Sequence, residues 1–576
     1  QFQEGDEAVL VLNSLPDDEV QLTSDLIQFE KKLNDTEVSY ISSDLNRSFI
    51  KAAEIISASK NFNKEIYLLT DFQKSRLADD SQITDLGELL DQNVRLYSFD
   101  LSGKEVSNAG ISNIKVNTQI FEKDKPVEYE IEIRNFSERS ISNLVVSLFA
   151  GGERAAQQSV NLEPGEVKNI NMESQLKSTG MIEVFAEIEE DDVLQDNRRY
   201  TSVFVPEQIN VLLLSDKNET AKFVELALLS GGADEQIKLT AYLASRLPAI
   251  SLNNFDVIIF TGNSTNDQSA KLKEFLNRGK GIIIFPGEDQ TPETYSAFLN
   301  SLEIRSSFTL ISETSPGKYF EFDEVDFNHP LFRNIFLQQE KKQIESPQIY
   351  SYFNLKTEGR GRNIISLIDG TAFLSEFRSS KGKVLVFAVS PVLKWSDFPL
   401  KSIFAPLINK SVFYLSAADG NERDFLAGEN IYVNMSERIS PQLRVIRPAD
   451  DEELININEQ SGSEFFGYER SDIPGTYRFL SGEKLLSHFN INVNPLESDL
   501  KYLSDEEFDD YLEKNNFQGL HLRIEKDEDP LQTILQARFG SELWRYFLLA
   551  ALLIALIEMT IARSAKKELI GVQSGA

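Results

Sequence analysis

The sequence predicts a multidomain chain in which α/β modules alternate with all-β modules, closed by a C-terminal transmembrane helix. Three observations carry this expectation. At 576 residues the chain is too long for one ordinary domain. Its apolar period changes from mixed helix and strand to strict alternation, and that α/β-then-β order occurs twice. From Tyr546 to Ala562 the chain is apolar apart from Glu558 and Thr560, about the shortest length that spans a hydrocarbon core.

Residues 1–104 read as a partial doubly wound α/β domain. Ala8-Val-Leu-Val-Leu12 reads as a buried strand followed by a turn at Pro16, and Thr23-Ser-Asp caps a helix carrying Leu26, Ile27, Phe29 and Leu33. A second helix follows Ser42-Ser43-Asp44, with Leu45, Phe49, Ala52, Ala53 and Ile56 on one face. Strands are predicted at Glu65–Thr70, ending in Asp71, and at Val94–Phe99. Residues 105–206 read as an Ig-like β-sandwich: Val127–Ile133 and Ile182–Ile188 alternate apolar residues with glutamates, and Glu163-Pro-Gly-Glu turns the chain between them.

The α/β pattern returns over 207–420, with β-rich runs at Ile209–Leu214, Phe255–Phe260, Gly281–Phe285 and Val384–Val389, helices between them, and an insertion over 301–380. Residues 421–496 read as a second β-sandwich-like domain, 497–541 as an acidic solvated stalk, 542–564 as the transmembrane helix and 565–576 as a cytoplasmic tail.

Composition excludes several functions. Lys and Arg number 58 against 91 Asp and Glu, a formal net charge of -33, and so acidic a surface repels phosphate backbones and predicts no nucleic-acid partner. There is no cysteine, and the three histidines, His329, His488 and His521, are far apart in sequence. Thiol catalysis and Cys/His zinc sites are thereby removed.

Trp544 and Tyr546 flank the apolar segment at one end and Arg563, Lys566 and Lys567 at the other, a pattern of aromatic belt and retained cations. It predicts a membrane protein whose tail is cytoplasmic and whose acidic bulk lies outside the cytoplasm. Glu558 is expected either to reach towards Arg563 or to meet another transmembrane helix.

Three places could carry chemistry. Leu68-Leu-Thr-Asp71 and Ser42-Ser43-Asp44 resemble the third and second loops of the von Willebrand factor A domain, with Phe72 where a glycine is common and Ser43 where a threonine is usual. The resemblance implies Ser43 and Asp71 as a partial remnant of a metal-dependent adhesion site. Two loops cannot supply the oxygen ligands Mg²⁺ demands, so Mg²⁺ enters only if a D-x-S-x-S loop precedes Gln1; otherwise no cofactor is expected. The plainer reading is that Ser43 caps a helix and Asp71 ends a strand.

The second place is Phe285-Pro-Gly-Glu288 with Thr261-Gly-Asn263, in a domain that resembles the class I glutamine amidotransferase-like fold. That fold's nucleophile is a cysteine, absent here; Ser390 lacks the flanking glycines of a nucleophile elbow, and His329 reads as a turn residue without a partner. No catalytic residue is assigned. The third place, Trp395-Ser-Asp-Phe-Pro399, reads as a packed turn more readily than as a ligand platform.

Together with Asn492-Val-Asn-Pro-Leu-Glu-Ser-Asp-Leu500 and Gly540-Ser-Glu-Leu-Trp-Arg545, that last motif gives the whole chain a resemblance to BatA-type, aerotolerance-regulator-like membrane proteins. Family members begin with two transmembrane helices and the first strand of the von Willebrand A domain, so the chain is expected to be an N-terminally truncated piece. The resemblance implies a bacterial inner membrane and a periplasmic bulk, and a non-catalytic envelope scaffold that binds envelope proteins and is tied to a MoxR-type AAA+ ATPase system. The alternatives are a cysteine-independent hydrolase, with a serine or acid cluster near Gly262, Gly287 and Ser390, and a carbohydrate-binding surface protein.

Overall fold

The computed structural model describes residues 5–573, apart from 16–19, 78–84, 103–105, 231–235, 263–264, 305, 313–317, 333–343, 358–360, 418–423, 436–437, 458–464, 526–528 and 541–542. The turn expected at Pro16, together with Asn263, lies outside the described residues. The chain divides into two units. The first comprises residues 1–38, 42–106 and 499–576, and the second 39–41 and 107–498.

The first unit is built on three parallel strands in the order Lys64–Thr70, Val94–Asp100, Leu520–Ile524. The first two are those expected from the sequence. The third comes from the segment expected to be a solvated stalk, which is therefore corrected: it contains the helix Asp505–Lys514, that strand and the helix Pro530–Phe539. Its acidity misled because Asp505, Glu506 and Glu507 lie in the first turn of a helix, where the dipole favours negative charge. Ser504 and Glu507 form a reciprocal capping box there. Phe508, Tyr511 and Leu512, at i, i+3 and i+4, are buried against Phe49, Ala53, Ile66 and Leu96.

The two N-terminal helices form as expected, over Leu26–Asn34 and Leu45–Ala58. Their caps are Asp25 and Asp44; the Asn46 amide donates to Asp44 Oδ1 at 2.9 Å, so Ser43 is not the cap. The expected strand at Ala8–Leu12 does not form: a single antiparallel bridge joins Ala8 to Thr23, and the run is half-buried with no ladder. An apolar run becomes a strand only when a neighbour offers its backbone groups.

In the second unit the sandwich packs the sheet Ala109–Val116, Pro126–Asn135, Val167–Gln175 on the sheet Glu153–Leu162, Ile141–Ala150, Gly180–Ile188, Arg198–Val205. Val127, Tyr129, Ile131 and Ile133 are all buried and their neighbours face outward, as the alternation required. Tyr200 and Asn492 exchange hydrogen bonds of 2.7 and 3.0 Å, tying the sandwich to the later β domain.

An eight-stranded sheet follows. Its strands run in the order Ile237–Leu243, Ile209–Ser215, Val257–Thr261, Gly281–Phe285, Gly382–Phe387, Ala372–Ser379, Gly361–Leu367, Phe322–Val325. The first five pair in parallel and the rest antiparallel. The expected insertion at 301–380 thus supplies three strands of the main sheet, besides a separate ribbon of Ser306–Ser312 with Ser351–Thr357. A five-stranded sheet made from segments of 424–492, with the pair Ile431–Asn434 and Phe465–Tyr468, forms the later β domain.

The C-terminal helix runs from Trp544 to Gln573. Among the described residues it is the one helix long and apolar enough to cross a membrane, over Trp544–Arg563 with mean hydropathy 1.9 and no part buried.

Phe508 is fully buried and meets Phe72 edge-on at 4.9 Å. Phe508→Ala is expected to cost the first unit about 3–5 kcal/mol, read as a lower urea midpoint for probes within residues 64–100. A stalk residue would shift nothing.

Candidate functional site

The carboxyl ends of parallel strands are where open α/β sheets place ligands, and both units offer such an end. In the second unit Asp216, Gly262 and Gly287 follow three adjacent strands. Gly262 has a φ of +126° and the Asp216 carboxylate lies where its Cβ would stand, so this position requires glycine. Gly287 packs on Gly262 in turn. Around them Lys217 Nζ meets Asp289 Oδ2 at 2.6 Å and Lys394 Nζ meets Glu288 Oε1 at 3.1 Å. Trp395 Nε1 donates to the Glu288 carbonyl at 3.2 Å, and its indole is buried against Phe353 at 5.4 Å between ring centroids. Trp395 therefore closes the crest by packing. Ser390 is wholly buried and its Oγ has no hydrogen-bond partner among the described residues, so none of these stands ready as a base to take its proton. Near these strand ends the Asp216 carboxylate packs on Gly262, and Ser390 is buried.

His329 lies in a turn, as expected, its amide donating to the Asp326 carbonyl at 2.9 Å; it is also fully buried, with a carboxylate partner that the sequence did not indicate. The Leu331 amide donates to Nδ1 at 3.3 Å, which leaves the ring proton on Nε2, 3.1 Å from Glu376 Oε2. Tyr414 donates to Glu376 Oε1 at 2.7 Å. Burial pushes the Glu376 carboxyl up, but the hydrogen bonds from His329 and Tyr414 outweigh it and hold the group below the usual carboxylate range. Glu376 and Tyr414 were missed from sequence. The available signal was one acid within the apolar strand Ala372–Ser379.

In the first unit Asp71 follows the strand Lys64–Thr70, and its Oδ1 accepts the Gln73 amide at 3.2 Å. Ser43 precedes the helix Leu45–Ala58, its carbonyl accepting from Asn13 at 3.1 Å and its buried Oγ lacking a partner. Among the described residues no three of His, Asp and Glu gather as a metal cluster, at these loops or elsewhere. The chain returning from Asp499 covers this crest: the Leu503 amide donates to the Phe72 carbonyl at 2.9 Å, Lys74 to the Lys501 carbonyl at 2.7 Å, and Gln73 Nε2 to the Asp499 carbonyl at 2.9 Å. Phe72 is buried with a φ of +59°, in the left-handed region that glycine adopts most easily. The Arg523 guanidinium stacks 4.1 Å from its ring and offsets that cost.

The anchor residues Trp544, Tyr546, Glu558 and Arg563 all lie exposed on the C-terminal helix, with Arg545 stacked 5.6 Å over Trp544. Glu558 is ion-paired with no described residue.

The Glu376 arrangement has a pH signature. Because the folded state holds this carboxyl below its unfolded value, its stabilisation is complete above about pH 4.3 and is lost as pH falls through the folded value. Glu376→Gln is expected to cost about 1–3 kcal/mol at pH 7 and to flatten the loss of stability below pH 4, read by urea midpoints at both pH values.

No family model matches the sequence, and no curated protein matches it. Solved structures similar to parts of the chain include a cytoplasmic protein from Salmonella typhimurium (14% identity, 36% of this chain and 98% of that one, TM-score 0.30). A CARDB domain from Pyrococcus furiosus in complex with di-metal ions shares 20% identity over 18% of this chain and 97% of that one, TM-score 0.17. A domain of a putative cell surface protein from Methanosarcina acetivorans shares 14% identity over 18% of this chain and 95% of that one, TM-score 0.16. Each is a partial likeness at low identity, and no activity or ligand is carried over from it.

Proposed function

We propose that this chain is a membrane-anchored scaffold of the bacterial envelope, BatA-like in build, which binds other envelope proteins and carries out no chemistry of its own. The observation that carries the reading is the bare apolar helix Trp544–Arg563, with mean hydropathy 1.9, following directly on a folded α/β unit. Its flanking cations at Arg563, Lys566 and Lys567 favour a cytoplasmic tail and a periplasmic bulk. The Asp216 carboxylate packed on Gly262, and a Ser390 without a base among the described residues, support binding over hydrolysis.

Several exposed apolar side chains offer partner surfaces. The strand Ile237–Leu243 is the outer edge of its sheet and exposes Tyr242 and Leu243, while the helix Asn218–Ser230 exposes Leu226 and Leu229. An open edge with apolar side chains is a template for a partner's strand. On this reading a von Willebrand A-like base and an amidotransferase-like module serve as recognition platforms, and the link to a MoxR-type ATPase system follows from the BatA likeness.

The absence of cysteine makes the test clean. With Lys123→Cys or Ser574→Cys as the sole thiol, a membrane-impermeant maleimide is expected to label the first in intact spheroplasts and the second only after permeabilisation. The full chain, extracted in detergent and captured by affinity tag, is expected to retain a reproducible set of envelope proteins. Reversed labelling, a freely soluble chain, or capture of nothing would contradict the reading.

A further inference from the structure

At the start of the sandwich, where the chain enters the second unit, a buried carboxylate, Asp196, and a half-buried one, Asp191, sit beside Asn108 and Ala109, at the entry to the strand Ala109–Val116. The Ala109 amide donates to Asp191 Oδ2 at 2.7 Å, and Asn108 Nδ2 donates to Asp196 Oδ2 at 3.0 Å. Asn108 Nδ2 also reaches the Ser498 carbonyl at 3.1 Å, so both ends of the second unit's main segment meet here. The carboxylates come from the loop between the strands Gly180–Ile188 and Arg198–Val205, which reads Glu189-Glu-Asp-Asp-Val-Leu-Gln-Asp196 and carries five acids. Gly110 lets them in: a Cβ there would lie 2.6 Å from Asp196 Oδ2.

What sets this cluster apart is its unmatched oxygens. Asp196, Asn108 and Asn197 are 6%, 1% and 5% exposed, and among the described residues Oδ1 of each is buried without a hydrogen-bond donor, as Asn197 Nδ2 is without an acceptor. Asn108 touches the Asp196 carboxylate, and the Asn197 amide faces that of Asp191. A buried acceptor left without a donor costs about 1–3 kcal/mol, more when charged. One water has two hydrogens to give and no charge to offset two carboxylates. Three oxygens lacking donors beside two acids are what a hard cation requires.

We propose that Asp191, Asp196, Asn108 and Asn197 form a binding site for one Ca²⁺ ion. The donor set is all oxygen, two carboxylates and two carboxamides, with the Ser498 carbonyl adjacent; the three remaining acids at Glu189, Glu190 and Asp192 raise the local negative potential. Ca²⁺ accepts an irregular shell of six to eight such oxygens, whereas Mg²⁺ holds its waters and demands octahedral geometry.

The full chain in detergent, stripped with EDTA and dialysed against CaCl₂, tests this. The wild type is expected to bind one Ca²⁺ at this site, with a Kd of about 10⁻⁴–10⁻³ M as in extracellular modules, and to bind Mg²⁺ more weakly. Asp196→Asn and Asp191→Asn should each weaken that binding at least about tenfold, and added Ca²⁺ should slow amide exchange over residues 188–198 in the wild type alone. Should Asp196→Asn fail to fold, Asp191→Asn and the wild-type exchange data decide. Absence of Ca²⁺ binding at about 5 mM, or equal binding by the folded variants, would overturn the proposal.

Discussion

The first unit depends on one parallel pairing: Leu520–Ile524 laid against Arg95–Phe99, with more than four hundred residues of sequence between them. Without it the sheet would have two strands, too few to stand alone in water. With it, the helix Asp505–Lys514 is brought onto the face where Leu45, Phe49 and Ala53 wait, and Phe508 meets Phe72. Arg523, on the paired strand, joins Asp100 at 2.6 Å and covers Phe72. The next helix, Pro530–Phe539, is pinned by Arg538, which grips Glu65 through bonds of 2.9 and 2.5 Å. Burial pushes the Glu65 carboxyl up, yet Arg538, Tyr67 and Arg95 together hold it below the usual range. The segment leading into the apolar helix is thus a folded part of the sheet that begins at Lys64.

Much of this was legible residue by residue. The 3.6 period of Leu45, Phe49, Ala52, Ala53 and Ile56 and the alternation of Val127–Ile133 each reflect one buried face, which local pattern records. The Leu520–Ile524 strand was hidden for the opposite reason. Its partner is remote, its residues His521 and Arg523 are polar, and an acidic run precedes it, so its local chemistry matches that of a stalk. The Ala8–Leu12 run erred the other way, with strong local preference and no neighbour to pair with. The role of His329 rests on Glu376 and Tyr414, 47 and 85 residues away by sequence number, and no spacing rule links those positions.

The candidate sites share a physical theme. At both crests the space above the strand ends is taken, by Asp216 and Trp395 in one unit and by the returning chain at Leu503 in the other. Unmatched buried polar atoms occur at the crests, at Ser43 and Ser390, and those of the sandwich include three oxygens on the neighbouring residues Asn108, Asp196 and Asn197. Nothing in the spacing of the five acids in Glu189–Asp196 marks one of them as inward-facing. Only the fold reveals that Asp196 turns inward against Gly110.

The most direct measurement of the central claim is native-state hydrogen exchange on the full chain, comparing amides of 520–524 with those of 94–100. If the late strand completes the sheet, both sets are protected and open together, with the same free energy and the same denaturant dependence. Rapid exchange across 505–524 while 94–100 stays protected would show an unpaired stalk and contradict the account.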